Sequence, residues 1–183
     1  MSHINIEIKA RCSEHEKIRE ILKANNAEFV GVDYQKDTYF KTKSGRLKLR
    51  QGNIENYLIF YKRENKKQAK ESRIILFEVS PNSPLESILE DSLGIFIEVN
   101  KRREIYFIEN VKFHLDAIEG LGYFVEIEAI DKKGTIEKNK LLKQCRHYQK
   151  LFGIDEKNLI SCSYSDLLIE KNKRDYSSST STV

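Results

Sequence analysis

Apolar and polar positions alternate along much of this chain. In "HINIEIKAR", residues 3–11, Ile4, Ile6, Ile8 and Ala10 fall on one side of an extended strand. Asn5, Glu7, Lys9 and Arg11 fall on the other. The same two-residue period runs through "AEFVGVDYQKDTYFKT", "RLKLR", "NYLIFYKRE", "ESRIILFEV", "IFIEVNKRREIYFIEN", "VKFHLDAIEG" and "GYFVEIEAI". That pattern predicts about eight strands. Ser44-Gly45 reads as a hairpin turn between two of them. The period becomes helical in "SEHEKIREILKANNA", where Ile18, Ile21 and Leu22 form a stripe, Ser13 with Glu16 forms a capping-box signature, and Asn25-Asn26 ends the run. A short helix is predicted over 84–93 behind Pro84 and ahead of Gly94, and a longer one in "TIEKNKLLKQCRHYQKLFGI", with Thr135 as cap and Gly153 as stop. "NLISCSYSDLL" fits either state. Strands that follow one another through turns favour an antiparallel sheet, and a sheet of this many strands can close into a barrel. The class is α+β, mainly β. Residues 1–169 read as a single domain, and the apolar-poor tail 170–183 as disordered.

Composition narrows the setting. With 39% hydrophobic and 33% charged residues among 183, the chain can bury a sizeable core without disulfides. No apolar run approaches the roughly 20 residues of a membrane span. Glu7, Lys9 and Arg11 interrupt any signal-peptide core. Three cysteines without close spacing suit reduced thiols in a cytoplasm. The net charge of +4 is mildly basic and spread over short segments, which argues against nucleic acid as partner.

The charges are sorted by strand. Arg46, Lys48 and Arg50 share one parity, as do Lys101 and Arg103. Lys112, His114 and Asp116 face away from Val111, Phe113 and Leu115, and Glu126 and Glu128 face away from Val125 and Ile127. A wet face on an ordinary antiparallel sheet would mix its signs. Cations on some strands and carboxylates on others suit a cavity that holds a polyanion in one part and hard metal ions in another. There is no Walker-type glycine loop, so side chains would have to hold phosphate.

These residues, in this order, resemble the CYTH, or triphosphate tunnel metalloenzyme, superfamily. "NIEIKAR" resembles its ExExK signature, and "HLDAIEGLGYFVEIEA" resembles its C-terminal metal-binding segment in the class IV adenylyl cyclase branch. "GRLKLR", "YKRE", "ESR", "NKRREIY" and "SYSDLL" fall between and after them as that family has them. The resemblance implies a closed eight-stranded antiparallel barrel with flanking helices. Its charged tunnel would take a triphosphate small molecule such as ATP or tripolyphosphate, with Mg²⁺ or Mn²⁺. It implies Glu7, Glu126 and Glu128 as metal ligands, with Asp116 near the metal. Lys9, Arg11, Lys48, Arg50, Arg73, Lys101 and Arg103 become triphosphate contacts. One of the adjacent Lys62 and Arg63 would also enter the tunnel, and parity cannot choose between them. Asp116, Lys9 and Tyr164 are the implied catalytic set. Asn5 departs from the signature, offering a carbonyl oxygen where the family has a carboxylate. The implied activity is conversion of ATP to cyclic AMP and pyrophosphate. The alternatives are a triphosphatase acting on inorganic, thiamine or nucleoside triphosphate, and a non-catalytic polyphosphate or nucleotide binder. No membrane partner is implied, and a homodimer is left open.

Overall fold

Alternation built from β-branched and aromatic residues gives the strands, and they occur in the expected order. The computed structural model describes residues 2–62 and 70–180. The elements are β1 (Ser2–Arg11), α1 (His15–Ala24), β2 (Glu28–Phe40), β3 (Arg46–Gln51), β4 (Tyr57–Lys62) and β5 (Lys70–Glu78). Then come α2 (Leu85–Leu93), β6 (Ile95–Ile108), β7 (Val111–Ile118), β8 (Gly122–Asp131), α3 (Lys138–Leu151) and α4 (Tyr164–Thr180). The strands close into a barrel in the order β1-β5-β4-β3-β2-β6-β7-β8, with β8 pairing back onto β1. Every pairing is antiparallel. Two meanders, β2 to β5 and β6 to β8, are joined by the β2–β6 pairing and by β1, which bridges β5 and β8. Closure leaves no unpaired edge.

The main core lies outside this barrel. Ile6, Ile8 and Ala10 of β1, Val111, Phe113 and Leu115 of β7, and Val125, Ile127 and Ala129 of β8 point outward. Ile18 and Leu22 of α1 and Leu141 and Cys145 of α3 cover them. Burial of each large side chain contributes about 1.5–3 kcal/mol. The alternation then turns Asn5, Glu7 and Lys9 of β1, Lys112 and His114 of β7, and Glu126 and Glu128 of β8 into the bore. The polar interior is thus a consequence of where the helices sit.

Three local expectations differ. Glu14 stands at the N-cap of α1 and makes no side-chain cap bond, while Glu16 is taken by Arg19, so the Ser13 capping box does not form. Glu137 precedes α3, and the Thr135 N–H donates to Asp131 instead. The tail expected to be disordered after residue 169 continues α4 through Thr180. Its residues 171–177 are exposed, as their composition requires, and Glu170 and Arg174 face each other one turn apart. Among the described residues no helix is long and apolar enough to cross a membrane.

Candidate functional site

The bore encloses a cavity of about 330 Å³. Asn5, Glu7 and Lys9 reach it from β1, Lys48 and Arg50 from β3, Lys101 and Arg103 from β6, Lys112 and His114 from β7, and Glu126 and Glu128 from β8. One wall differs. Tyr57, Ile59 and Tyr61 of β4 and Ile74 and Leu76 of β5 line it with mostly apolar surface.

The carboxylates do not behave alike. Glu126 accepts hydrogen bonds from Lys9 Nζ at 2.8 Å, Arg103 Nη2 at 3.0 Å and His114 Nδ1 at 3.0 Å. Burial alone would raise its pKa, but Lys9 and Arg103 hold it well below the usual carboxylate range. Glu128 stands directly opposite Glu7 in the β1–β8 register. Burial, with Glu7 and Glu126 nearby, raises Glu128 above its ordinary value, against the pull of Lys112. The Asn5 amide donates to Glu128, while Asn5 Oδ1 is buried with no hydrogen-bond partner. His114 is pushed down to about 4 by burial and by Arg103, so its ring is neutral at pH 7. With Glu126 ionised, Nδ1 carries the proton, and Nε2 is left buried without a partner.

The donor set of Glu7, Glu126, Glu128 and the Asn5 carbonyl oxygen fits a hard divalent cation. The crowding of Glu128 against Glu7 and the orphaned Asn5 oxygen are both features that a cation in the bore would relieve. Among the described residues no three such groups converge on one point, because Glu126 is turned to Lys9 and Arg103, and Glu128 to Asn5.

The cations are held by buried carboxylates that sequence reasoning missed. Asp37 of β2 accepts from Lys48 at 2.7 Å, from Lys101 at 2.5 Å, and from Arg50 through Nε at 2.8 Å and Nη2 at 3.0 Å. Glu55, in the β3–β4 loop, accepts from Arg50 Nη1 at 2.9 Å and from Lys112. Burial and the neighbouring Arg50, Arg103 and Lys48 push Lys101 well below the ordinary lysine value, despite Asp37. A polyanion would relieve that repulsion. Asp37 shares the parity of Tyr39 in "DYQKDTYF", so the inner face of β2 was open to detection. Glu55 lies in a loop without period and gave no signal.

The implied residues divide as follows. Glu7, Glu126, Glu128, Lys9, Lys48, Arg50, Lys101, Arg103 and Tyr164 all line the bore. Asp116 does not. It is fully buried behind the wall, where Arg103 donates to both its oxygens, one at 2.6 Å, and the Tyr164 hydroxyl donates to it at 2.8 Å. Arg11 is exposed at the rim, donating to the Leu121 carbonyl at 3.2 Å over the Phe124 ring. With residues 57, 59 and 61 inside, Lys62 falls outside, exposed beside Phe60. Arg63 lies outside the described residues. Arg73 of β5 pairs with Lys62 and Ile4 in register, and its side chain lies outside what the structure describes. Arg46 leaves the bore to hold the start of α4, donating to Asp166 at 2.8 Å and to Ser163.

Comparison with known proteins agrees with this geometry. The CYTH domain profile matches residues 3–164. A Methanocaldococcus jannaschii protein named "Putative adenylate cyclase" is 30% identical over 175 residues, covering 90% of this chain and 98% of that one. A solved Pyrococcus horikoshii protein is 27% identical with a TM-score of 0.75, covering 89% of this chain and 98% of its own. A solved Vibrio parahaemolyticus protein, also titled a putative adenylate cyclase, shares the fold at 18% identity, with a TM-score of 0.73 over 92% of this chain and 99% of its own.

Proposed function

From the premise that the chain belongs to the CYTH domain family, we propose that it is a metal-dependent enzyme that converts ATP to cyclic AMP and pyrophosphate. The observation that carries this reading is the sorting inside one closed bore. Cations enter from β1, β3, β6 and β7, carboxylates from β1 and β8, and an apolar wall from β4 and β5. Lys9, Lys48, Arg50, Lys101 and Arg103 bind the triphosphate, and Lys112 joins them. Tyr57, Ile59, Tyr61, Ile74 and Leu76 give an adenosine group surface to pack on, which a bare triphosphate does not need.

Glu7, Glu126 and Glu128 would hold Mg²⁺ or Mn²⁺, with Asn5 offering an oxygen. Such an ion supplies charge neutralisation on phosphoryl oxygens. The ribose 3′-oxygen attacks the α-phosphorus and loses its proton to solvent water, while the bond from the α-phosphorus to the oxygen bridging to the β-phosphate breaks in line. The residues of this chain mainly position the chain of phosphates and meet the negative charge that builds on departing pyrophosphate. Asp116 acts one step back, fixing the Arg103 guanidinium and the Tyr164 hydroxyl. Lys9 lies 4.0 Å over the Tyr164 ring and so is held between that ring and Glu126.

The test compares ATP with inorganic tripolyphosphate in the same Mg²⁺ or Mn²⁺ buffer. Faster turnover of ATP, with cyclic AMP appearing, supports the reading. Phosphate release from tripolyphosphate at the higher rate, with no cyclic AMP from ATP, would replace the cyclase with a triphosphatase.

A further inference from the structure

Glu55 is built into the tunnel. Its loop is fixed by Asp33, a buried residue of β2 whose two oxygens accept the Ile54 N–H at 2.9 Å and the Glu55 N–H at 3.0 Å. Gly52 allows that approach, since a Cβ there would stand 2.4 Å from Asp33 Oδ1. Asn53 closes the loop back onto β2 through the Tyr34 N–H at 2.7 Å and the Val32 carbonyl at 3.0 Å. Asn56 adds bonds to Gly52 in both directions. Nothing in this arrangement resembles a swinging lid. It is a rigid holder for one carboxylate.

That carboxylate spans the bore. One side meets Arg50 of β3 at 2.9 Å, with Gln35 donating at 3.0 Å, and the other meets Lys112 of β7. In the barrel order β3 and β7 are separated by both β2 and β6, so the chain Arg50–Glu55–Lys112 crosses from one side to the other. Past it, where β6 turns into β7, the lining includes apolar Val30, Ile54, Phe107 and Ile130. At the opposite end Ser163 and Tyr164, where α4 begins, border the bore. Lys132, just past β8, also lines the end beyond Glu55, so the main cationic stretch lies between Glu55 and the start of α4, with this further cation beyond Glu55.

The geometry points to Glu55 as a specificity-determining residue, an anionic bar that ends the phosphate-binding stretch and resists threading of polyphosphate chains longer than the substrate's triphosphate. This rests on the reading of the bore as a triphosphate site. A carboxylate fixed across the bore repels any phosphoryl group that would extend past Arg50, and its ion pairs to Arg50 and Lys112 must break before a chain can pass.

Thermal melts of the full chain in magnesium buffer test it, with inorganic tripolyphosphate and long-chain polyphosphate as probes at equal chain concentration. Each variant is compared with its own ligand-free melt. Wild type is expected to respond more to tripolyphosphate than to the long chain. Glu55→Gln removes the charge, and Glu55→Asp keeps it. Glu55→Gln is expected to raise the long-chain response, equivalent to a roughly tenfold gain in affinity, and the tripolyphosphate response by less, while Glu55→Asp stays nearer wild type. Equal responses of wild type to the two probes would overturn the bar while leaving the triphosphate reading standing. So would equal gains for both probes in Glu55→Gln, no long-chain gain in Glu55→Gln, or a long-chain gain in Glu55→Asp as large as in Glu55→Gln. No response of wild type to tripolyphosphate would overturn the triphosphate reading itself, and the bar with it.

Discussion

Glu126 and Glu128 sit two residues apart on one face of β8, yet replacing them should move stability in opposite directions. Glu126→Gln removes the charge that Lys9 meets at 2.8 Å and Arg103 at 3.0 Å. Breaking a buried ion pair from one side costs about 3–5 kcal/mol. Arg103 keeps its bonds to Asp116, and the new amide oxygen can still accept, so the lower end applies, about 3 kcal/mol. For a chain of this size that lowers the melting temperature by about 6 °C or more. Glu128→Gln removes a carboxylate set opposite Glu7, and relief of a directly opposed like-charge pair contributes about 0.2–1 kcal/mol. Melting both variants in EDTA checks this. Glu126→Gln should fall well below wild type, and Glu128→Gln should equal or exceed it. Adding magnesium should then stabilise wild type more than either variant, since each has lost a candidate ligand. Equal losses in EDTA, or a larger loss at Glu128, would refute the division of the two carboxylates into a paired one and a crowded one.

Further outcomes are expected. His114 is held at about 4 in the folded chain against 6.5 unfolded, so the unfolded state takes the proton more readily and stability falls as pH drops from about 6.5 to 4, by about 3 kcal/mol from this group. Urea titrations of wild type and His114→Gln should diverge over that window; parallel curves would refute the assignment, and the comparison also separates His114 from Glu128, whose raised pKa acts in the opposite sense. Tyr164→Phe loses one donor to Asp116 and should cost about 2 kcal/mol in denaturant titration, with no loss meaning that Arg103 alone suffices. Gly52→Ala should cost about 1–3 kcal/mol through overpacking against Asp33, read as a lower urea midpoint, and an unchanged midpoint would mean the loop yields freely.

How far the sequence revealed this site depended on periodicity. The face of β1 carrying Glu7 and Lys9 and the pair Glu126 and Glu128 were legible because parity puts them opposite apolar residues that α1 and α3 cover. Lys48 and Arg50 were legible because they alternate with Leu47 and Leu49 packed under α2, and Lys101 and Arg103 only by their shared parity, since their neighbours on β6 are polar. Arg11 obeys the same parity but lies at the end of β1, where the strand has left the bore. Parity also cannot see depth. Asp116 points inward yet ends in the wall, because Arg103 and Tyr164 fill the space in front of it. Glu55 has no periodic neighbours at all, and only the Asp33 anchor brings it into the bore. The tail shows a different limit. Low apolar content reads as a disordered tail, whereas a helix nucleated by the packed start of α4 extends into water with residues 171–177 exposed.

The most direct measurement is the fate of the phosphorus atoms of ATP. Purified protein with ATP and Mg²⁺ or Mn²⁺ would be followed by phosphorus NMR over a complete time course. Cyclic AMP and pyrophosphate are expected to rise together in equal amounts, with no orthophosphate, and all turnover should stop in Glu126→Gln. Orthophosphate appearing with ADP, or with AMP in place of its cyclic form, would contradict attack by the ribose 3′-oxygen and assign the tunnel to hydrolysis.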